Sequence, residues 1–139
     1  MRYHRPVLLV EDDSIDAMIV ERAFKDLKIT NKLIHTSNGE EAMEYLLNSG
    51  NKKPCIILLD FNMPKISGVE FLRKIKQNKN LSQIPVVILT VSSLEKDIHE
   101  GFLEGAVGYI VKSAQYPDLL KKIEAFYEYW TFSELPVIR

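Results

Sequence analysis

Cysteine is nearly absent from this chain. Cys55 is the only one in 139 residues, so no internal disulfide can form. It stands in an apolar run and reads as buried packing rather than a reactive thiol, and a reducing cytoplasm is the simplest home. Charge of one sign is lacking too. The 18 Lys plus Arg against 19 Asp plus Glu leave a net charge of -1, which exerts no bulk pull on nucleic acid or an anionic membrane. No apolar run approaches the roughly 20 residues needed to span a bilayer. The opening Met1-Arg2-Tyr3-His4-Arg5-Pro6 has no apolar signal segment, and no repeat or low-complexity linker follows. With 46% apolar and 27% charged residues the chain is globular, and its length fits one domain over 1–139, with a core at about 6–130 and a C-terminal extension at 131–139.

What is present is alternation. Val7-Leu8-Leu9-Val10, Ile56-Ile57-Leu58-Leu59 and Val86-Val87-Ile88-Leu89 are short continuous apolar runs of the buried parallel-strand kind. Leu33-Ile34-His35-Thr36 is a weaker outer strand and Tyr109-Ile110-Val111 a fifth. Between them lie helical stripes. Ser14 can cap one bearing Ile15, Met18, Ile19, Ala23 and Leu27, ended by Thr30-Asn31. Ser37 with Glu40 reads as a capping box for a second through Leu47. Gly68 opens a third, Leu94 to Phe102 form a weaker fourth, and Asp118 to Trp130 a fifth. Strands alternating with helices imply an α/β fold whose parallel sheet is covered on both faces. In the flavodoxin-like order 2-1-3-4-5, strands 1 and 3 flank the point where ligands bind.

Polar residues end the strands: Glu11-Asp12 after the first, Asp60 after the third, Thr90 on the fourth and Lys112 after the fifth. If the first and third strands are neighbours, three carboxylates share one crevice. Such anions repel, and a hard cation with oxygen ligands resolves the conflict, Mg²⁺ being the natural choice and Mn²⁺ a second. Thr90 and Lys112 add a hydroxyl donor and a cation from the other side, suited to an anionic group between them. Together these are the parts for in-line phosphoryl transfer to a carboxylate, with Asp60 as nucleophile.

Val10-Glu11-Asp12, Leu59-Asp60-Phe61-Asn62-Met63-Pro64 with Gly68, Pro85 to Thr90, and Tyr109-Ile110-Val111-Lys112 resemble the bacterial two-component response-regulator receiver family, over about residues 6 to 130. The resemblance implies the CheY-like form of the flavodoxin-like fold and a sensor histidine kinase that phosphorylates Asp60. It implies Mg²⁺ held by Glu11, Asp12, Asp60 and the main-chain carbonyl of Asn62. Thr90 and Lys112 would contact the phosphoryl group, and Thr90 with Tyr109 would form the switch. Such a chain is no turnover enzyme; its chemistry is its own phosphorylation and dephosphorylation. Two departures stand out. Ser113 follows Lys112 where the family usually has a cis proline, so that peptide bond could be trans or strained. Val91 is bulkier than the usual Ala or Gly. With the aromatic stretch from Phe126 to Pro136, these resemble stand-alone regulators that partner bacterial phytochromes.

Plainer roles compete at several positions. Asp13 and Asp16 read as dipole partners of a helix start rather than pocket members. Tyr109 could be core packing. His4, His35 and His99 lack metal-ligand spacing and read as surface or packing residues. Arg73, Lys74, Lys76 and Lys79 read as a solvated face. Phe126, Tyr127, Tyr129, Trp130 and Phe132 exceed one stripe's needs, so a homodimer through them, or through the face of the fourth helix, fifth strand and fifth helix, is an alternative to packing. A dehalogenase-type phosphatase would need an acid at position 62, where Asn62 stands. A pseudo-receiver that binds partners without phosphorylation is the other alternative.

Overall fold

The computed structural model describes residues 5–63 and 66–134, and every apolar run named above is a strand in it. The elements are β1 (Val7–Val10), α1 (Ser14–Asp26), β2 (Leu33–Thr36), α2 (Gly39–Leu47), β3 (Ile56–Leu59), α3 (Gly68–Gln77), β4 (Val86–Thr90), α4 (Glu95–Leu103), β5 (Gly108–Val111) and α5 (Tyr116–Phe132). The strands are parallel, in the order β2-β1-β3-β4-β5. His4, Pro64 and Pro136 lie outside the described residues.

Period-2 alternation along the strands divides the core into two layers. Leu8, Val10, Ile57, Leu59, Val86 and Ile88 face one side with Ala42 and Leu46 of α2 and Phe71, Leu72 and Ile75 of α3. Val7, Leu9, Ile56, Leu58, Val87 and Leu89 face the other with Ala17, Val20 and Phe24 of α1 and Leu119, Ile123 and Trp130 of α5. Burying such a side chain stabilises the fold by roughly 1.5–3 kcal/mol. From β1 the chain moves out to β2, then returns past β1 to β3. The crossovers reverse direction there, which opens a crevice at the carboxyl ends of β1 and β3.

The helix ends differ from the sequence expectation in detail. Asp13, not Ser14, caps α1, its Oδ1 accepting from the amides of Ile15 at 2.8 Å and Asp16 at 3.2 Å. Asn38, not Ser37, caps α2, accepting from the Glu41 amide at 2.9 Å while Glu41 accepts from the Ser37 amide at 3.3 Å. The reciprocal cap exists but lies one residue later than Ser37 and Glu40. The stripe of α1 is turned as well: Ala17, Val20, Ala23 and Phe24 are buried, whereas Ile15 and Met18 are 67% and 65% exposed. This helix ends at Asp26 with Leu27 as its C-cap, before Thr30. Lys28 has φ 56°, and the amides of Lys28 and Ile29 bond back to the carbonyls of Lys25 at 3.0 Å and Phe24 at 2.9 Å. That pattern is a Schellman motif with lysine where glycine is usual. α5 begins at Tyr116, ahead of Asp118, with Pro117 in its first turn, and runs to Phe132, two residues beyond Trp130. Cys55 is buried, as expected.

Candidate functional site

The crevice is built by register. Val10 pairs with Leu59, so the next residues, Glu11 and Asp60, emerge side by side at the carboxyl edge. The Asp60 amide donates to the Val10 carbonyl at 3.0 Å and the Glu11 amide to the Thr36 carbonyl at 3.0 Å, which fixes both acids to the sheet. Val111 pairs with Thr90, and the Lys112 amide donates to the Thr90 carbonyl at 2.7 Å, which brings the lysine to the same edge. Glu11, Asp60 and Thr90 are buried while Asp12 is exposed at the rim. Among the described residues, Glu11, Asp12 and Asp60 form one acidic group whose candidate ligand oxygens lie within 4.8 Å of one another.

Lys112 crosses from the β5 end of the sheet to this group. Its ammonium reaches into the crevice and donates to Glu11 Oε1 and to Asp16 Oδ2, the latter at 3.1 Å, with Asp60 Oδ2 at 3.8 Å. Asp16, read from sequence as a dipole partner, is therefore also a pocket residue; one turn of helix suffices to aim it at the lysine. Asp13 keeps the plainer role, as a cap. Burial pushes the Glu11 carboxyl up to about 7 even though Lys112 pulls it down, and nearby Asp60 adds to the rise. Burial alone would lower Lys112, but the Glu11 bond and the charges of Asp60 and Glu11 outweigh it and hold its pKa above the ordinary value.

The residues suit a hard cation and an anionic group. Three crowded carboxylates, one of them driven toward its neutral form, are the donor set that a divalent oxygen-seeking ion would relieve. Thr90 Oγ1 is fully enclosed and has no hydrogen-bond partner, a costly condition for a hydroxyl unless an additional group comes to it. The Asn62 amide donates to Asp60 Oδ1 at 3.2 Å, so the turn after β3 is folded back on the acid. Gly68 closes that turn. A Cβ there would lie 2.6 Å from Phe61 Cα and 2.9 Å from the Asp60 carbonyl oxygen, which no side chain can do.

Tyr109 is half-buried; its hydroxyl donates to the Ser92 carbonyl at 3.0 Å and its ring meets Phe61 edge-on at 6.1 Å. It thus ties β5 to the segment leading into α4. Val91, exposed, stands with Asp16, Lys112, Ser113 and Tyr116 around an open cavity of about 520 Å³ at the mouth of the site. No described peptide bond is cis, so Lys112-Ser113 is trans.

His35, which had no role in sequence, donates its Nε2–H to the Glu11 carbonyl at 2.7 Å, because a carbonyl can only accept. No sequence spacing signals this, since it depends on β2 lying beside β1. His99 is exposed on α4 and lines a surface cavity with Lys96, Asp97, Glu100 and Leu103. Arg73 pairs with Glu104 at 3.0 Å and Lys76 donates to the Ser82 carbonyl at 3.3 Å, so the basic stretch is a solvated face only in part. Trp130 is buried and Phe126 and Tyr127 are half-buried against it, whereas Tyr129 and Phe132 are exposed.

Crevice, parallel order and strand-end residues define a class. The response regulator receiver domain model matches residues 7–124, and the chain belongs to that family. Among its relatives is response regulator Rcp1 of Synechocystis sp., 38% identical over 128 residues that make up 89% of this chain and 87% of Rcp1. The crystal structure of the Mn(2+)-bound form of Rcp1 matches with a TM-score of 0.86 at 36% identity, over 96% of this chain and 99% of that one. That of the phosphorylated cyanobacterial phytochrome response regulator RcpA gives a TM-score of 0.88 at 33% identity, again over 96% and 99%. The probable methanogenesis regulatory protein FilR2 of Methanothrix harundinacea is 35% identical over 127 residues, 89% of this chain and 82% of that protein.

Proposed function

We propose that this receiver takes a phosphoryl group from a histidine kinase onto Asp60 and signals through the association that follows. One observation carries the reading. Buried Asp60 shares a crevice with Glu11 and Asp12, lies 3.8 Å from the Lys112 ammonium, and has an unpartnered hydroxyl, Thr90 Oγ1, at the same sheet edge. A carboxylate oxygen of Asp60 forms the new P–O bond as the P–N bond of the donor phosphohistidine breaks, and the leaving imidazole takes up a proton. Glu11, Asp12, Asp60 and the Asn62 carbonyl would hold Mg²⁺ or Mn²⁺, which supplies charge neutralisation at the phosphoryl oxygens. Thr90 Oγ1 would donate to one of those oxygens and Lys112 would pair with another. Attack of water at phosphorus later restores the carboxylate, so the chain resets without turnover of a substrate.

Switching would follow Thr90. As it turns toward the phosphoryl group, Tyr109 repacks and the segment from Ser92 into α4 is released from its bond. The exposed Leu94, Phe102, Leu103 and Val107 on that face support a docking or self-association surface there. Exposed Ile15 and Met18 on α1, the helix that carries Asp16, suit the kinase. A phytochrome-type kinase is supported by the likeness to RcpA and by Lys112-Ser113; a cytoplasmic setting fits a chain with no described helix able to cross a membrane.

The test is mass spectrometry after incubation with Mg²⁺ and acetyl phosphate. A gain of one phosphoryl group that disappears in Asp60→Asn supports the reading. No gain with acetyl phosphate, or with any histidine kinase encoded beside the gene, refutes it and leaves a binding module that works without phosphorylation.

A further inference from the structure

Asp16 is not one of the acids that would take a cation, yet its Oδ2 lies 3.1 Å from Lys112 Nζ. The side chain is one-third exposed (33%), against 8% for that of Lys112. Lys112 therefore touches anions of two kinds. Glu11 and Asp60 belong to the group of three; Asp16 stands outside it, on the first turn of α1. An ammonium and a divalent cation repel, and both cannot hold the same carboxylate oxygens at close range. Lys112 bonds Glu11 Oε1, and a cation drawn to that oxygen displaces the ammonium from it.

We propose that Asp16 is a positioning residue for the phosphoacceptor site: it holds the Lys112 ammonium when Glu11 and Asp60 turn to a divalent cation, and so keeps the metal position open and the lysine within reach of the phosphoryl group. Without Asp16, the nearest anions left to Lys112 are the metal-side acids, and lysine and cation compete. Room for the shift exists, because Asp16 and Lys112 both line the open cavity of about 520 Å³ at the mouth. The sequence offers a plainer role, an acid in a helix's first turn that complements the helix dipole. The fold supplies a control for that role. Asp13 is also an acid at the start of α1 but does not touch Lys112, and Asn caps a helix as well as Asp does. Asp13→Asn therefore removes a nearby charge and leaves both the cap and the lysine contact alone.

This inference rests on the receiver reading, and calorimetric titration of the full chain with Mg²⁺ separates the two. Asp16→Asn weakens Mg²⁺ binding by roughly five- to tenfold, the range of one partly buried charge contact. Asp13→Asn changes it by less than about twofold, and Asp16→Glu restores most of the loss. In a Lys112→Met background the effect of Asp16→Asn falls to that of Asp13→Asn, since there is no ammonium left to hold. The same Asp16→Asn loss with and without Lys112, or no loss at all, overturns the assignment while leaving the receiver reading intact. No Mg²⁺ uptake by the parent chain at millimolar concentration overturns both.

Discussion

The centre of the sheet and its β5 edge are built differently. β1 and β3 are buried at every residue, and α3 sets Gly68, Phe71, Leu72 and Ile75 into the core beneath them. β5 is only half-buried along its length, and α4 contributes a single buried residue, Gly101. Asp60 stands at the centre, where any displacement would disrupt close packing. Tyr109 and the exposed apolar residues stand toward the edge, where a shift gives up little burial. A receiver needs both properties, and the chain separates them by position in the sheet.

Glycine substitutions give the largest contrast. Gly68→Ala forces a Cβ against the backbone of Asp60 and Phe61, which cannot yield, and should lower stability by about 1–3 kcal/mol. At Gly101 the nearest atom, at 2.5 Å, is the flexible tip Ile88 Cδ1, and alanine in a helix recovers up to about 1 kcal/mol, so Gly101→Ala should stay within about 1 kcal/mol of the parent. Urea unfolding midpoints measure both, and equal losses would break the comparison.

pH comes next in size. The folded Glu11 carboxyl titrates at about 7 against an ordinary 4.5, so between those values the folded state binds a proton that the unfolded state does not. Stability contributed by that proton is present at low pH and is lost as pH rises from about 4.5 through about 7. Without metal, the melting temperature should fall across this window. Saturating Mg²⁺ should flatten the slope, because it favours the ionised acid, and raise the melting temperature above pH 7. The smallest change is Tyr109→Phe. Loss of the 3.0 Å bond to the Ser92 carbonyl should lower stability by about 0.5–1.5 kcal/mol, while hydrogen exchange quickens at the amides leading into α4 and stays unchanged in β1 and β3.

Strand ends were legible in the sequence because a buried parallel strand must be apolar throughout. A polar residue that follows such a run directly, as Glu11, Asp60 and Lys112 do, has only the sheet edge to occupy. Helix starts were less legible. Ser14 reads as the cap and Asp13 and Asp16 as dipole partners, and only the backbone decides that Asp13 caps while Asp16 reaches Lys112. The apolar periodicity of α1 misplaced Ile15 and Met18, since the pattern itself does not separate a stripe that meets the core from one left for a partner. Lys28 ends α1 without the glycine that usually marks such a stop. Which carboxylates the Lys112 ammonium contacts could not be read either, because a long flexible side chain is placed by its partners and not by its spacing.

Trp130 is the chain's single tryptophan, 2% exposed, stacked on Phe126 at 6.5 Å, with no partner for its indole N–H. It borders a groove with Pro85, Val87 and Gly108, at the amino ends of β4 and β5, the opposite edge of the sheet from Thr90 and Lys112. The molecule thus carries its own optical gauge, label-free and distant from the acceptor. An altered emission wavelength after phosphorylation would report that the disturbance had travelled the length of the strands into α5, and a constant one that it stayed in the loops around the aspartate.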